Sequence, residues 1–179
     1  MKNEKGVKQI LRLTVTLLLI CALVAAVLAG VNTITKDKIA AAQEQKTLDA
    51  LAAVLPGVDG LEPMELTGET GIVSSVYASG DSYAVQVEPA GFNGKVTMMV
   101  GVSGGKVTGV SVISHTETPG LGAVAAEDSA KGNDFRGQFV GGEVFTVGEN
   151  VDAMSGATIT SKAVTTGVNA AVEFVQNLG

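Results

Sequence analysis

A run of small residues, DAMSGAT at positions 152–158, stands directly before the last helical pattern of this chain. The first turn of an α-helix has free N–H groups and a partial positive charge, and small residues let an anion approach the backbone closely. Gly156 and Ala157 would leave room for a phosphate, while Ser155, Thr158 and Thr160 would supply hydroxyl groups. The run is therefore either a phosphate site or an ordinary Ser/Thr helix cap, because capping residues are common at helix starts.

A second polar stretch, SHTETPGLG at residues 114–122, follows a predicted strand and ends in a Pro-Gly turn. It brings together His115, Glu117 and Thr118, and loops held by rigid strands are where functional sites commonly lie. The simpler interpretation is a polar loop. His115 is the only histidine and Cys21 the only cysteine. A metal site built on several histidines or cysteines is therefore not expected, and no catalytic base is evident.

Length and charge narrow the functional classes further. The 179 residues suffice for one modest domain and an anchor, and the formal net charge is −6. A nucleic-acid partner is not expected, because the lysines and arginines form no clustered basic patch that could neutralise phosphates.

An uncharged apolar run at residues 13–31 predicts a transmembrane helix. As a helix it would extend about 28 Å, close to the hydrocarbon thickness of a bilayer. Lys2, Lys5, Lys8 and Arg12 precede it. The positive-inside rule therefore places residues 1–12 in the cytoplasm and the chain after the span outside it, with lipid as an expected partner. A cleavable signal peptide is the alternative, although the run is longer than a usual signal core.

The remaining sequence predicts an α+β domain with a mainly antiparallel sheet and flanking helices. A juxtamembrane helix at 32–57 is stopped by Pro56-Gly57, and the domain follows at 58–179, entered through a turn-rich linker at 59–71. Gly104-Gly105 predicts a hairpin turn. The remaining predicted elements are strands at 71–77, 83–88, 95–102, 106–114 and 144–147, a short helix at 123–134, and a closing helix at 160–178.

The two polar stretches together resemble a known family. DAMSGAT matches the flavinylation pattern D-x-x-[S/T]-G-A-T, and HTETPGLG is similar to the other hallmark of the same family. The layout of an N-terminal span, a GFNGKVTMMVGV strand, the HTETPGLG loop, a Phe-rich segment and a terminal SGAT helix resembles the FMN-binding G subunit of the Rnf complex. The C subunit of the sodium-pumping NADH:quinone reductase is a close relative of that family, but it is typically longer.

The resemblance implies roles for individual residues. Thr158 would be the flavin acceptor, whose Oγ forms a phosphoester with the phosphate of FMN, made by a separate flavin transferase from FAD. Asp152, Ser155, Gly156 and Ala157 match the rest of the pattern, with Ala153 standing where the family often has glycine.

The second hallmark and the surrounding residues carry further implications. Glu117 and Thr118 match the loop that contacts the flavin in the family, and His115 belongs to the same motif without an assigned role. Thr160 is a threonine outside the acceptor position. From its spacing alone, Lys162 is a candidate to add positive charge at the phosphate.

The family implies an electron-transfer subunit with covalent FMN, in an ion-translocating ferredoxin:NAD oxidoreductase of the bacterial cytoplasmic membrane. Its partners would be the other membrane subunits of the Rnf complex, which would supply the iron–sulfur sites that this chain cannot build. Two alternatives stay open at this point. One is a flavinylated carrier of another system, namely the quinone-reductase C subunit or extracellular electron transfer. The other is a structural assembly subunit whose SGAT is only a helix cap.

Overall fold

The computed structural model describes residues 2–66 and 70–178; Met1, Gly179 and residues 67–69 of the predicted linker lie outside it. The predicted span and juxtamembrane helix form one uninterrupted helix, α1, from Lys2 to Val54. From residue 8 onward this helix is long and apolar enough to cross a membrane, with a mean hydropathy of 2.7 in its most apolar window. Thr14 and Thr16 donate their hydroxyls to the carbonyls of Ile10 and Arg12. Their polar groups are thus satisfied within the helix, as a lipid environment requires.

The chain divides into two compact units, one ending at Glu44 and one beginning at Gln45. The second unit contains the last ten residues of α1 and a five-stranded sheet in the order β1-β2-β3-β4-β5. All neighbouring strands are antiparallel. This arrangement confirms the α+β prediction. The strands are β1 Glu62–Met64, β2 Val73–Ser79, β3 Ser82–Val87, β4 Val96–Ser103 and β5 Lys106–His115.

Three helices follow the sheet: α2 Gly122–Ala126, α3 Ala130–Gly137 and α4 Thr158–Gln176. The predicted single helix at 123–134 was wrong, because the chain breaks between α2 and α3. Ser129 caps α3 by accepting a hydrogen bond from the Gly132 N–H. Arg136 donates to the Ala125 and Glu127 carbonyls at the end of α2. Burial lowers the pKa of this guanidinium, which the Asp128 carboxylate partly opposes.

Two further sequence predictions need correction. Residues 144–147 form no strand; a single bridge joins Val147 to Val151. The Asn169 amide instead satisfies the Phe145 backbone, donating to its carbonyl at 2.7 Å and accepting from its N–H at 2.9 Å. The prediction of a turn-rich linker at 59–71 also missed one strand, because Glu62–Met64 within it pairs with β2.

The sheet has a packed core on each face. The larger core holds the inner faces of β2–β5, α4 and three phenylalanines that pack edge to face, Phe135, Phe139 and Phe145. The smaller core lies under the end of α1. β4 is buried along nearly its whole length because both of its faces are covered.

The end of α1 approaches the sheet closely at a pair of glycines. Gly101 and Gly109 lie opposite each other on β4 and β5, and a Cβ at Gly101 would overlap the Val54 carbonyl oxygen. The Thr108 hydroxyl donates to that same carbonyl at 2.6 Å. The glycine pair therefore permits the contact, and Thr108 satisfies the free carbonyl at the helix end.

Candidate functional site

The two polar stretches singled out in the sequence meet at one cavity of about 340 Å³. Its walls are the loop after β5, the start of α4, and Phe92 from the loop between β3 and β4. Of the predicted site residues, Glu117, Thr118, Gly156, Ala157 and Thr158 line this cavity. Asp152, Ser155 and Lys162 are exposed and do not line it.

The start of α4 does not have the Ser/Thr cap that was the simpler interpretation of DAMSGAT. The N-cap residue is Ala157, and its side chain makes no capping hydrogen bond. Within the described chain, no backbone acceptor faces the N–H groups of Thr158, Ile159 and Thr160. The first turn of α4 therefore keeps free donors and a partial positive charge beside the cavity, which suits an anion.

A tight turn sets the position of this helix start. The Ala157 N–H donates to the Met154 carbonyl at 3.0 Å, and Gly156 supplies the positive φ of 75° that a turn of this kind needs at its third residue. The buried Ser161 hydroxyl accepts from the Met154 N–H and donates to the Ala157 carbonyl, both at 3.0 Å. The Ser161 hydroxyl thus links the 154–157 turn to the first turn of α4. Thr158 lies between these two segments and is exposed.

Thr158 and Thr160 are in opposite environments although both line the cavity. Thr158 is exposed. Thr160 is only 1% exposed, and its hydroxyl donates to Oε2 of Glu117. The hydroxyl of Thr158 is therefore accessible to a molecule in the cavity, whereas that of Thr160 is already engaged inside the protein.

The Glu117 carboxylate joins three segments at the floor of the cavity. It is 4% exposed, its Oε1 accepts the Asn93 N–H at 3.1 Å, and its Oε2 accepts the Thr160 hydroxyl. A Cβ at Gly91 would overlap Oε1, and a Cβ at Gly122 would overlap the Thr160 hydroxyl. Both glycines therefore leave room for this carboxylate and its partner, and Glu117 binds protein groups through both of its oxygens.

The loop at residues 91–94 was not predicted to belong to the site. The Asn93 amide donates to the Thr116 carbonyl at 2.8 Å, and the Thr116 hydroxyl donates to the Asn93 carbonyl at 2.9 Å. These bonds hold the loop against the HTETPGLG stretch. The available signal was GFNG itself, a large apolar residue between glycines in a turn, which has no obvious core function.

Large apolar side chains surround Thr158 at the mouth of the cavity. Phe92, Leu121 and Ile159 are 67%, 51% and 53% exposed. Exposed apolar groups clustered around a few polar ones are typical of a ligand site, because the ligand then covers them. The arrangement fits a molecule with an anionic end and a flat apolar end, which describes FMN.

His115 lies away from this cavity, although it belongs to the same sequence motif. It lines a separate groove along β5, and its Nδ1 is buried without a hydrogen-bond partner in the structure as described. No group of three or more His, Cys, Asp or Glu side chains among the described residues is arranged to hold a metal ion.

Comparison with known proteins agrees with the geometry. The FMN-binding domain family matches residues 91–173, and the family described as the RnfG N-terminal region matches residues 1–54. The G subunit of the proton-translocating ferredoxin:NAD(+) oxidoreductase complex of Clostridium ljungdahlii is 35% identical, over 98% of this chain and 96% of its own length.

Two further relatives are G subunits of complexes with similar names. That of the ion-translocating oxidoreductase complex of Methanosarcina acetivorans is 33% identical, over 94% of this chain and 95% of its own length. That of the Na(+)-translocating ferredoxin:NAD(+) oxidoreductase complex of Acetobacterium woodii is 34% identical, over 96% of this chain and 94% of its own. This chain belongs to the family of G subunits of the Rnf-type ion-translocating oxidoreductase complexes.

Proposed function

We propose that this chain carries FMN on the Thr158 hydroxyl and relays electrons as a subunit of a membrane-bound ion-translocating ferredoxin:NAD oxidoreductase. The observation that carries the proposal is the exposed Thr158. It lies at an uncapped helix start, in a cavity that three exposed apolar side chains also line. The family supports the identity of the complex, because relatives matched over nearly their whole length bear its name.

The residues present fit FMN at both of its ends. The free N–H groups of residues 158–160 and the small Gly156 and Ala157 suit the phosphate. Phe92, Leu121 and Ile159 offer apolar surface to the isoalloxazine ring. Lys162, one turn along α4 and exposed, adds positive charge near the phosphate without lining the cavity. Asp152 and Ser155, exposed beside the turn, are available for recognition by a flavin transferase.

Attachment would proceed as a phosphoryl transfer at Thr158. Its Oγ forms a bond to the phosphorus of the FMN half of FAD, the phosphoanhydride bond breaks, AMP leaves, and the hydroxyl proton passes to solvent or to the transferase. This chain holds the acceptor oxygen in place and keeps the hydroxyl of Thr160 out of reach. The product is a phosphodiester lying against the N–H groups of α4.

The redox chemistry is supplied by the flavin, which accepts and donates one or two electrons. The contribution of this chain is to bind, orient and partly cover it. Glu117 fixes the relative positions of the 91–94 loop, the HTETPGLG loop and the start of α4, which all border the cavity. Thr118 lies at the cavity wall, where it can contact the flavin.

The membrane arrangement is part of the proposal. Residues 13–31 cross the bacterial cytoplasmic membrane, residues 1–12 lie in the cytoplasm, and residues 58–179 form the FMN-binding domain outside it. The four basic residues before the span support this orientation. A covalent tether is useful on that side, because a flavin released there would be lost from the cell.

The functional test uses the whole complex purified with an affinity tag on another subunit. Complexes containing Thr158→Ala should assemble but lose ferredoxin-driven NAD reduction. Complexes containing Thr166→Ala, a change at an exposed residue of α4 that does not line the cavity, should keep it. Unchanged activity with Thr158→Ala would contradict the relay. Assembly with a different redox system instead of the ferredoxin:NAD complex would favour the flavinylated-carrier alternative.

A further inference from the structure

The second cavity of the domain is a groove of about 740 Å³ along β5. β5 is the last strand of the sheet, so its outer edge faces no further strand. The end of α1 forms one wall of the groove, and α2 and α3 form the other. The α1 wall includes Lys46, Asp49 and Ala53. The opposite wall includes Asn133 and Gly137 of α3 and, just after that helix, Val140.

The free edge of β5 is long and lacks two common protections, charge and proline, although two register shifts interrupt its pairing with β4. At its start, Val107 is paired outward, donating to the Gly142 carbonyl and accepting from the Gly141 N–H. Beyond it, residues 109–114 have no outward backbone partner anywhere in the described chain. The sequence TGVSVIS at 108–114 has no charge and no proline. Natural edge strands usually carry one of these, because an open edge is a template for another strand.

The walls of the groove indicate what can fill it. The sheet ends at β5, but helices continue to cover both faces beside that edge, so the sheet layer between them lacks a strand. A second copy of the domain could not pair its own β5 here, because its flanking helices would need the space that these walls occupy. The opening therefore admits a single extended segment.

Charge further restricts the segment. One wall carries Lys46 and Asp49, and the other carries Asp128 and Arg136, so the groove has no net charge. Arg136 is also engaged by the carbonyls of Ala125 and Glu127. The uncharged lining mixes small and apolar side chains, such as Ala50, Ala53 and Val140, with polar ones, such as Ser111, Ser114 and Asn133. An uncharged segment with small side chains, polar or apolar, is the complement of these walls.

We propose that the edge of β5 at residues 109–114 is a docking site for an extended, uncharged segment of another subunit of the complex, which pairs as a sixth strand between α1 and α3. The buried Nδ1 of His115, without a partner at the end of the groove, is available to the incoming segment. The identity of the occupant as a neighbouring subunit rests on the proposed function.

The test places a photo-crosslinking amino acid at Ala53 or Gly137 in the full-length protein within the purified complex. A Cβ at Gly137 meets no atom within 4 Å, and Ala53 is exposed, so neither replacement disturbs the domain. Ala52 is the matched control, because it is also exposed on α1 but does not line the groove. Crosslinks from Ala53 and Gly137 should map to one segment of one partner subunit, and Ala52 should give none to that segment.

Backbone pairing is tested by hydrogen exchange in the same complex. Those amides of residues 109–114 that point away from β4 should exchange at least about tenfold more slowly in the complex than in the isolated full-length protein in detergent, because a paired edge amide exchanges only on local opening. Ala53→Arg should abolish this protection, and Ala52→Arg should retain it. Unprotected amides, crosslinks to a second copy, or the absence of crosslinks would each overturn the proposal.

The flavin content of the same samples separates the two proposals. Flavinylated protein with an unprotected β5 edge would overturn the docking site and leave the proposed function intact. A protected edge in protein that never carries flavin would retain the docking site and contradict the proposed function.

Discussion

Thr158 and Thr160 are two residues apart, yet only one is a plausible acceptor. Thr158 is exposed at the cavity, while Thr160 is buried and donates to Glu117. The motif predicts Thr158 as the acceptor, and the different burial of the two hydroxyls is a physical reason to expect this choice. The Glu117 carboxylate accepts hydrogen bonds from the Thr160 hydroxyl and the Asn93 N–H. It therefore positions the start of α4 and the 91–94 loop, in addition to lining the cavity.

This positioning role predicts how substitutions at residue 160 behave. Thr160→Val leaves a buried carboxylate oxygen without its donor and should lower the free energy of unfolding by about 1–3 kcal/mol. Thr160→Ser keeps the hydroxyl and should recover most of the loss. Denaturant unfolding of the full-length protein in detergent measures both changes. If the serine and valine variants were equally destabilised, the hydrogen bond to Glu117 would not be the cause.

Phe92 is predicted to cover one part of the flavin ring. In flavinylated protein, Phe92→Ala should increase quenching of flavin fluorescence by iodide, because the quencher then reaches the ring from that side. The covalent flavin content should not change, since Thr158 is untouched. Val144→Ala, at another exposed apolar residue outside the cavity, is the matched control. Quenching that is equal in the two variants would place the ring elsewhere.

At the scale of elements, the end of α1 is predicted to depend on the glycine pair beneath it. Gly101→Ala should destabilise the domain by about 1–3 kcal/mol, because its Cβ would overlap the Val54 backbone and the strand or the helix must shift. Gly137→Ala, where a Cβ meets only open space, should be neutral or slightly stabilising. Thermal unfolding of the two variants in detergent gives the comparison, and a similar melting temperature for both would argue against tight packing of α1 on the sheet.

Elements with strong local patterns were predictable, and those governed by tertiary contacts were not. The β4–β5 hairpin followed from Gly104-Gly105, whose φ angles are both positive. The break between α2 and α3 was not predicted, because the Ala-rich run has good helix propensity. The hydrogen bonds that stabilise the break join Arg136 to the carbonyls of Ala125 and Glu127, and these contacts are not visible in the local sequence pattern. The run at 144–147 has the residue pattern of a strand. The backbone groups of Phe145 nevertheless bond to the Asn169 side-chain amide of α4 and not to a neighbouring strand.

The candidate site shows the same division. Both motifs were recognised from their sequences, and the structure brings Glu117 and Thr158 to one cavity. The contribution of Phe92 and Asn93 could not be read from the sequence. It depends on hydrogen bonds between Asn93 and Thr116, which are 23 positions apart in the chain. Burial of Thr160 likewise depends on long-range packing, so spacing alone could not separate it from Thr158.

At the scale of the whole molecule, an apolar helix and an acidic domain lie on one chain. The proposed orientation predicts that a phosphatase fused after the last residue is active, since that enzyme requires the oxidising space outside the cytoplasm, and that a fluorescent protein fused there is dark when exported unfolded. Replacing Lys2, Lys5, Lys8 and Arg12 with glutamine should weaken this asymmetry. A bright fluorescent fusion with an inactive phosphatase would reverse the orientation and remove the reason for a covalent tether.

The most direct test of the central claim is the intact mass of the full-length protein co-expressed with a flavin transferase, followed by peptide mapping. We expect a mass increase equal to FMN minus water, located on Thr158 and absent from Thr158→Ala. An unmodified protein, under conditions in which a known acceptor is labelled, or an adduct located on Thr160, would contradict covalent attachment at Thr158.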